Sequence, residues 1–415
     1  MEIAIVGAGI VGIATAYELA CDGHQVTVYE QRSAAAEEAS FASSGLIAPS
    51  LLIPWAAAGI GAHSSSLLWG RQPAFRMVRG AGRAEWAWLW RWRKAARSPS
   101  SQSTLLALEK LGRYSQSRTR ALAALFEVDI ETSHGTLVLL RSKNDVKKLK
   151  PIPELLREAG SHLTEIDPET ARLIEPGLSS DVPLTGALHA TDGEAANCRL
   201  FAQVLRYAAQ ERNVKFVFNA HVQSISAQPT GLQVKGETEL RRADAVVLCA
   251  GLASASLLRK HGVDLPMTAV HGYTISAPLR EDLHAPQGSV IDPVHRITIA
   301  RQGQRVRVSG GAELGHGGGE HHGDTLQKLY SALAGWFPGA AHLSSSQVQI
   351  WRGARPTLPD GAPALGPSGV PGLWLNAGHG ACGWALACGS ARALADRIGG
   401  HAPAVELDAF SANRF

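Results

Sequence analysis

The segment Ile3-Ala4-Ile5-Val6-Gly7-Ala8-Gly9-Ile10-Val11-Gly12 decides the fold of this chain. Its apolar first half is typical of a buried strand and leads directly into a Gly-x-Gly-x-x-Gly turn, after which helical spacing continues to about Cys21. A second strand, predicted over residues 25–30, ends in Glu30. Strand, turn, helix, strand and terminal carboxylate in this register predict the βαβ unit that binds dinucleotides.

The glycines and the carboxylate each have a physical role in such a unit. Gly7 permits the tight turn, Gly9 lets a pyrophosphate approach the backbone, and Gly12 lets the helix pack closely on the strand. The helix N-terminus offers free N–H groups and a partial positive charge to the phosphates. Glu30 is placed to accept hydrogen bonds from both ribose hydroxyls.

The bulk composition is that of a globular protein with more than one domain. Of 415 residues, 45% are hydrophobic and 18% charged, and the formal net charge is +4. This length predicts two domains, and so small a net charge gives no support for nucleic-acid binding. The five cysteines are scattered without a CxxC pair, which predicts reduced thiols in a cytoplasmic protein. No cleaved leader is expected before a first strand that starts at residue 2 or 3.

Residues 46–97 raise the question of membrane contact. The segment 39–70 contains no Asp, Glu, Lys or Arg, but prolines and glycines interrupt it, so a continuous spanning helix is not expected. Residues 71–97 are rich in Arg, and six of the ten tryptophans fall between residues 55 and 92. On a helix, Trp86 and Trp90 share one face, while Trp88 and Trp92 share another. Two interpretations stay open: peripheral contact with the inner face of the cell membrane, or a lid whose tryptophans are packed.

The middle of the chain shows two kinds of sequence pattern. Helices are predicted over 105–126 and 144–159, and a strand over 186–190 is predicted to turn at Asp192-Gly193. Residues 266–312 alternate apolar and polar, as antiparallel strands do, and this predicts a second domain. The glycine-rich segment 310–323 contains His316, Glu320, His321 and His322, but their spacing matches no metal-ligand pattern, so no metal site is predicted.

A second glycine turn lies near the C-terminus. A predicted strand over 373–377 leads into Gly378-His379-Gly380-Ala381-Cys382-Gly383 and then a helix to Ile398. A nicotinamide Rossmann domain has no need of this turn. A flavin site does, because the ring and its ribityl arm need a second set of backbone N–H donors and a positive helix end.

These motifs together resemble the D-amino-acid-oxidase-like family of flavoproteins, nearly end to end. The resemblance is carried by GAGIVG with Glu30, ADAVVLCAG (243–251), RPTLPDGAPALG (355–366) and GHGACGWALACGSARALAD (378–396). The stretches IAPSLLIPWAAAGI (47–60), DGEAANCRLF (192–201) and HGYTIS (271–276) look like the subgroup of bacterial D-amino acid dehydrogenases.

The resemblance implies an α/β fold with a Rossmann-like FAD-binding domain and a second α+β substrate domain built on a mainly antiparallel sheet. The FAD-binding domain would be discontinuous, from residues 1–60, 186–262 and 352–415, and the substrate domain would take residues 61–185 and 263–351. FAD would be bound non-covalently. The implied reaction oxidises a D-amino or imino acid at Cα by hydride transfer to flavin N5. The imine then hydrolyses to a 2-oxo acid and ammonia, and the electrons pass to a quinone or other acceptor.

The resemblance and the chemistry together give candidate site residues. Arg355 is expected to hold the substrate carboxylate bidentately, and Tyr273 to be a second donor to it or a wall of the pocket. His379 is expected beside the flavin, where it would orient the ring or stabilise negative charge on it. The expected cofactor-binding residues are Gly7, Gly9, Gly12, Glu30, Gln31, Arg32, Ser43, Ser44, Gly45, Leu46, Val222, Ala250, Gly251, Arg355, Gly378, His379, Gly380 and Gly383.

Three alternatives remain beside a D-amino acid dehydrogenase. The chain departs from the family's usual residues at Ser43-Ser44-Gly45, His271 and Cys382, close to the expected pocket. These departures motivate a dehydrogenase for D-proline or cis-4-hydroxy-D-proline. The other two alternatives are an amino acid oxidase that uses oxygen and a flavin-binding subunit without turnover.

Overall fold

The computed structural model of this chain describes residues 1–53, 76–78, 81–98, 100–149, 151–158, 160–161, 163–315 and 321–415. Trp55, Trp69, His316 and Glu320, which the sequence singled out, lie outside the described residues. In chain order the strands are β1 (Glu2–Val6), β2 (Gln25–Tyr29), β3 (Leu46–Ile47), β4 (Arg76–Met77), β5 (Ser133–Leu140), β6 (Leu163–Ile166), β7 (Gly186–Ala195), β8 (Lys215–Val217), β9 (Val222–Ala227), β10 (Thr230–Val234), β11 (Arg241–Arg242), β12 (Ala245–Leu248), β13 (Thr268–Pro278), β14 (Ser289–Asp292), β15 (Ile297–Gln302), β16 (Arg305–Leu314), β17 (Gln349–Thr357), β18 (Ala364–Pro367) and β19 (Leu373–Ala377). The α-helices are α1 (Ile10–Cys21), α2 (Arg83–Ala96), α3 (Ser100–Leu125), α4 (Lys143–Leu149), α5 (Pro151–Glu158), α6 (Pro168–Ile174), α7 (Cys198–Glu211), α8 (Ala253–Arg259), α9 (Gly323–Trp336) and α10 (Gly383–Ile398).

The first sheet is built around the N-terminal βαβ unit. Its six strands lie in the order β18-β19-β12-β1-β2-β8, and every neighbouring pair is parallel except β18 with β19. Because parallel strands end at the same edge, the segments that follow β1, β2 and β12 meet there. Gly7, Glu30 and Cys249 begin those three segments.

Both faces of this sheet are buried, each by a different layer. Along β1, Ile3 and Ile5 pack with residues of α1, α7 and α10 in one hydrophobic cluster. The alternate residues, Ala4 and Val6, pack with residues of β9 and β10 in another. The strand therefore reads as a continuous apolar run because it is covered on both sides.

The second sheet is larger and mostly antiparallel. Its main path runs β17-β13-β16-β15-β14-β5-β7-β3, with β4 beside β16 and β6 beside β7. Two pairs, β14 with β5 and β4 with β16, are parallel. On β13, Tyr273 and Ile275 pack with residues of α9 in the core of this part of the molecule, whereas Thr274 lies on the opposite face. The predicted fold class, a Rossmann-like domain with a second α+β domain on a mainly antiparallel sheet, is confirmed.

Two sequence predictions of local structure are wrong. The helix predicted over 144–159 is two helices, α4 and α5, because Pro151 lacks a backbone N–H and starts a new helix. The turn predicted at Asp192-Gly193 is absent, since β7 runs through both residues. The glycine is needed for packing instead: a Cβ at Gly193 would lie 2.8 Å from Cβ of Thr136.

The predicted domain boundaries stay a prediction. The strands of the six-stranded sheet all fall within the segments 1–60, 186–262 and 352–415. Strands β3 and β7 lie in the same segments but belong to the second sheet. None of the helices in the described ranges has both the length and the hydropathy needed to cross a membrane.

Candidate active site

A cleft of about 1320 Å³ is lined by residues of both sheets. The sequence-predicted site residues that line it are Gly7, Gly9, Glu30, Gln31, Ser43, Ser44, Leu46, Val222, Ala250, Gly251, Arg355, Gly378, His379, Gly380 and Gly383. Gly12, Arg32, Gly45 and Tyr273 do not line it. Segments far apart in the chain therefore converge on one cavity.

The N-terminal glycine turn has the geometry of an anion cradle. Gly7 adopts φ +102°, and a Cβ there would lie 2.6 Å from the carbonyl oxygen of Cys249. A Cβ at Gly12 would overlap the Gly7 carbonyl. At Gly9 the nearest atom to such a Cβ is Oγ of Ser40 at 3.4 Å, so its missing side chain leaves open space in the cleft. The start of α1 is thus exposed to a ligand.

Glu30 is a buried carboxylate at the end of β2. Its Oε2 accepts a hydrogen bond from the N–H of Ala8 (2.7 Å), and its Oε1 accepts one from the N–H of Arg32 (2.8 Å). The Arg32 side chain points away from these contacts and pairs with Glu38. Arg32 therefore contributes its backbone to this end of the cleft.

The loop 42–46 accepts hydrogen bonds from the second sheet and from α10. The carbonyl of Ser43 accepts a hydrogen bond from Nη1 of Arg307 (3.1 Å), on β16. The carbonyl of Gly45 accepts one from Nε1 of Trp384 (3.0 Å), on α10. Gly45 adopts φ +87°, and a Cβ there would overlap Gln302, which explains a glycine at a position behind the cleft wall.

The C-terminal glycine turn brings His379 to the cleft. Gly378 and Gly380 adopt φ +80° and +54°, which favour glycine. The Nε2 of His379 lies 3.3 Å from Oγ of Ser390, whose hydroxyl donates to the Ala387 carbonyl. Burial lowers the pKa of His379 to about 3, so the imidazole is neutral at pH 7. It can orient a ligand by a hydrogen bond but adds no positive charge, whereas the N-terminus of α10 supplies a partial one.

Arg355 is a cation of the same cleft. Its Nη1 donates to the carbonyl of Gly311 (2.9 Å), and its guanidinium lies over Gly272, where a Cβ would be 2.6 Å from Nη1. Burial lowers the pKa of Arg355 to about 10, which leaves it charged at neutral pH. The nearby Cys382 thiol stays protonated, since burial raises its pKa to about 11. The other N–H groups of Arg355 have no hydrogen-bond partner among the described residues and are available to an anion.

Tyr273 lies behind the cleft wall. Its hydroxyl donates to Oε2 of Glu313 (2.9 Å) and accepts from the N–H of His322 (3.1 Å). Arg352 lies 3.8 Å from the same carboxylate oxygen. Glu313 itself lines the cleft, so the structure places a carboxylate between Tyr273 and the cavity. The proposed role of Tyr273 as a second carboxylate donor stays a prediction.

Comparison with known proteins gives the family. The model of the family "DAO: FAD dependent oxidoreductase" matches residues 2–397. A D-amino acid dehydrogenase of Rhodopseudomonas palustris is 33% identical over 423 residues, covering 100% of this chain and 98% of that protein. One of Cereibacter sphaeroides is 34% identical over 411 residues, covering 98% and 93%. The chain belongs to the DAO family of FAD-dependent oxidoreductases.

The fold agrees with this family. The crystal structure of glycine oxidase from Geobacillus kaustophilus superposes with a TM-score of 0.77 at 22% identity, covering 100% of this chain and 98% of that one. The family match confirms the resemblance inferred from the sequence motifs, and with it FAD as the cofactor.

The residues present fit FAD. The open space at Gly9 and the start of α1 suit the pyrophosphate, and Glu30 suits the adjoining ribose. The second glycine turn leads into α10, whose first residues, Gly383 to Ala385, also line the cleft. Asn376, a buried cleft residue, donates through Nδ2 to Thr15 Oγ1 (3.0 Å), while its Oδ1 has no hydrogen-bond partner in the described part of the chain. That oxygen can accept from a bound donor.

Sequence reasoning missed several cleft residues. Ser40 accepts a hydrogen bond from the N–H of Ile10 (3.0 Å) at the start of α1, and nothing local distinguishes it from its serine neighbours. Asn376 is the last polar residue of an apolar strand, which was a usable signal. The turn 293–296 between β14 and β15 also lines the cleft, and its sequence gives no sign of that.

Proposed function

We propose that this protein is a D-amino acid dehydrogenase that oxidises its substrate at Cα. The balanced reaction converts an amino acid, water and an oxidised acceptor into a 2-oxo acid, ammonia and the reduced acceptor. Family membership supports the redox chemistry, which needs a small-molecule substrate and an electron acceptor. The names of the relatives at 33% and 34% identity support the substrate class.

The observation that carries the proposal is Arg355. It is a charged guanidinium in the cleft, braced by Gly311 on one N–H and free to use the others. A guanidinium binds a carboxylate through two parallel hydrogen bonds and so fixes its orientation. All amino acids carry the α-carboxylate, which makes it the natural handle for placing Cα.

The residues around Arg355 suit the rest of the reaction. FAD, when bound, accepts the hydrogen and electron pair that leave Cα. The chain supplies positioning: Arg355 holds the carboxylate, and the neutral His379 and the start of α10 lie on the cofactor side of the cleft. Holding reacting atoms in place accounts for a large share of catalysis in such sites. Glu313 is already bound by Tyr273, so it is fixed in place at the cleft wall.

The deciding experiment is anaerobic reduction of the bound flavin by a panel of amino acids. A D-amino acid should bleach the flavin absorption, and its L-enantiomer should not. Turnover with a dye acceptor should far exceed hydrogen peroxide release; equal rates would make the protein an oxidase. Selective bleaching by D-proline or cis-4-hydroxy-D-proline would favour the imino acid alternative. If no member of the panel bleaches the flavin, the dehydrogenase proposal is wrong.

The electron acceptor we propose is a membrane quinone, with contact to the membrane through α2. The structure separates the tryptophans of this helix. Trp88 and Trp92 are 3% and 2% exposed and pack in a hydrophobic cluster, whereas Trp86 and Trp90 are 49% and 66% exposed. Exposed Trp beside basic residues is typical of a lipid headgroup interface. The same helix carries Arg83, Arg91, Arg93 and Lys94, with Arg97 next to it.

Vesicle binding tests the membrane proposal. The double variant Trp86→Ala/Trp90→Ala should lose cosedimentation with vesicles that contain anionic phosphatidylglycerol. The matched control, Leu173→Ala/Leu283→Ala, removes two side chains that are 81% and 80% exposed on other parts of the surface. It should bind as the wild type does. Equal binding by all three proteins would contradict membrane contact through α2.

A further inference from the structure

One part of the cleft wall has no role in the chemistry above. It is the hairpin turn at residues 293–296, between β14 and β15, and all four of its residues line the cleft. Its last residue, Arg296, adopts φ +55°. A left-handed conformation is unfavourable for a long side chain, so something must hold the turn in this shape.

The turn is held by Asp292, which is buried. Its Oδ1 accepts hydrogen bonds from the N–H of Val294 (3.1 Å) and the N–H of His295 (3.2 Å). Its Oδ2 accepts from Nη2 of Arg141 (2.5 Å), Nδ1 of His295 (2.9 Å) and Nε1 of Trp336 (3.0 Å). Burial alone would raise the pKa of Asp292, but these donors outweigh it and hold the pKa well below its usual range. The turn is therefore a fixed part of the wall.

Arg296 presents an unused charge from this turn. Its side chain forms no hydrogen bond or ion pair with any residue that the structure describes. The residue is exposed to solvent, and nearby protein atoms lower its pKa by desolvation. A guanidinium at the wall of a cleft that has no partner among the described residues is available to bind an anion.

Arg296 lies beside the proposed carboxylate anchor. A Cβ at Gly310 would be 3.1 Å from the backbone oxygen of Arg296, and the carbonyl of the next residue, Gly311, accepts from Arg355. The backbone of Arg296 and the guanidinium of Arg355 therefore both lie against the Gly310-Gly311 segment of β16. Arg296 belongs to a hairpin of the second sheet, whereas the pyrophosphate cradle at Gly7 and Gly9 follows β1 of the first sheet.

Side chains of both charges line the cleft around this point. Lys328, on α9, lines the same cleft next to Leu329, whose Cδ2 would be 2.9 Å from a Cβ at Gly310. The carboxylates that also line the cleft there are Glu313 and Asp324. Glu313 already accepts hydrogen bonds from Tyr273 (2.9 Å) and Thr325 (3.3 Å). Neither is in ion-pair contact with Arg296.

We propose that Arg296 determines substrate specificity by binding a second carboxylate at the end of the substrate side chain. The substrates of this protein then include acidic D-amino acids, with the α-carboxylate on Arg355 and the distal carboxylate on Arg296. The inference rests on the proposed function. A neutral substrate would leave Arg296 hydrated and lose only the second contact.

The variants separate charge from backbone effects. Arg296→Gln removes the charge, and because glutamine is about as unfavourable as arginine at positive φ, the backbone strain is unchanged. Arg296→Lys keeps the charge. Arg280→Gln is the matched control, an arginine that follows β13, is 53% exposed and does not line the cleft. Each protein is assayed with a dye acceptor on D-glutamate and D-alanine.

We expect Arg296→Gln to lower kcat/KM for D-glutamate by about tenfold or more, mainly through KM, as loss of one charged hydrogen-bonded contact does. The value for D-alanine should stay within about twofold. Arg296→Lys should keep part of the D-glutamate activity, and Arg280→Gln should change neither substrate. Equal losses on both substrates, or no loss on D-glutamate, would overturn the inference.

A binding measurement keeps this test independent of turnover. Glutarate, which has two carboxylates, should perturb the flavin absorption of the wild type at lower concentration than butyrate, which has one. That preference should vanish in Arg296→Gln. If glutarate binds no better than butyrate to the wild type, the second carboxylate site is wrong even if D-alanine is oxidised. If no D-amino acid bleaches the flavin but glutarate is preferred, the site stands and the proposed reaction does not.

Discussion

Substitution of Gly272 by alanine tests the carboxylate anchor without touching Arg355 itself. Gly272 has no positive φ, so alanine brings no backbone strain. The new Cβ would lie 2.6 Å from Nη1 of Arg355 and overlap the rest of the guanidinium. Ordinary contact begins at 3.4 Å, so the guanidinium must shift by about 1 Å. A misplacement of about 1 Å at a positioning group costs about 10²-fold in rate.

The expected result of Gly272→Ala is a fall of about 10²-fold in kcat/KM for D-alanine, carried mainly by KM. FAD content, measured from the flavin absorption of the purified protein, should not change, because Gly272 does not line the cofactor turns. The loss in unfolding free energy should be about 1–3 kcal/mol, the range for overpacking. Gly335→Ala is the control, since its Cβ would meet only Cγ2 of Val182, at 3.9 Å. A variant Gly272→Ala with full FAD content and an unchanged KM would refute the assignment of Arg355 as the anchor.

Three further outcomes follow from single residues. Glu30→Gln should raise the dissociation constant for FAD by about tenfold or more, since a charged acceptor is lost, as measured by titration of the apoprotein; unchanged affinity would contradict the ribose assignment. Asp292→Asn should cost about 3–5 kcal/mol of unfolding free energy at pH 7. Because the pKa of Asp292 is lowered in the folded state, its contribution is present above the unfolded pKa of about 3.9 and is lost as pH falls through the folded value. The difference between variant and wild type in denaturant unfolding should therefore shrink below about pH 4, and a constant difference would count against the hydrogen-bond account. For His379, a pKa of about 3 predicts a kcat profile without an ionisation of this residue between pH 5 and 8; an inflection there that disappears in His379→Asn would show the imidazole to be titrating.

The glycine turns could be located from local pattern alone. At Gly12 the steric reason for a glycine lies within the βαβ unit, since a Cβ would overlap the Gly7 carbonyl, whereas at Gly7 the left-handed φ is local but the close contact is with the distant Cys249. The C-terminal turn at Gly378–Gly383 was found in the same way. Apolar runs, glycine spacing and a terminal carboxylate are visible in a single segment, so neighbouring segments are not needed to recognise them.

Positions that depend on contacts between distant segments were not predicted. Gly193 looked like a turn residue, but it is small because β5 passes close to it at Thr136. For Tyr273, the local sequence does not show that its ring packs with residues of α9 while its hydroxyl donates to Glu313 on β16. Arg296 belongs to a hairpin whose place in the cleft is decided by Asp292 and two partners, Arg141 and Trp336, that lie far away in the chain.

One irregularity in the second sheet links these positions to the proposed chemistry. Opposite His271 and Tyr273, β16 carries one extra residue, because His271 pairs with Glu313 while Tyr273 pairs with Gly310. A bulge of this kind changes the direction of the local backbone N–H and C=O groups without ending the strand. Here it includes Gly311, at φ +80°, whose carbonyl is the acceptor for Arg355.

The cleft also depends on contacts far from any ligand. Glu18, buried on α1, accepts hydrogen bonds from Nε of Arg118 (2.7 Å) on α3 and from Nη1 of Arg392 (3.1 Å) on α10. Arg118 thereby joins α3 to α1, and Arg392 joins α10 to α1. Residues of α1 and α10 also pack in one hydrophobic cluster. Because these two helices start at the two glycine turns of the chain, their packing brings both turns to the same cleft.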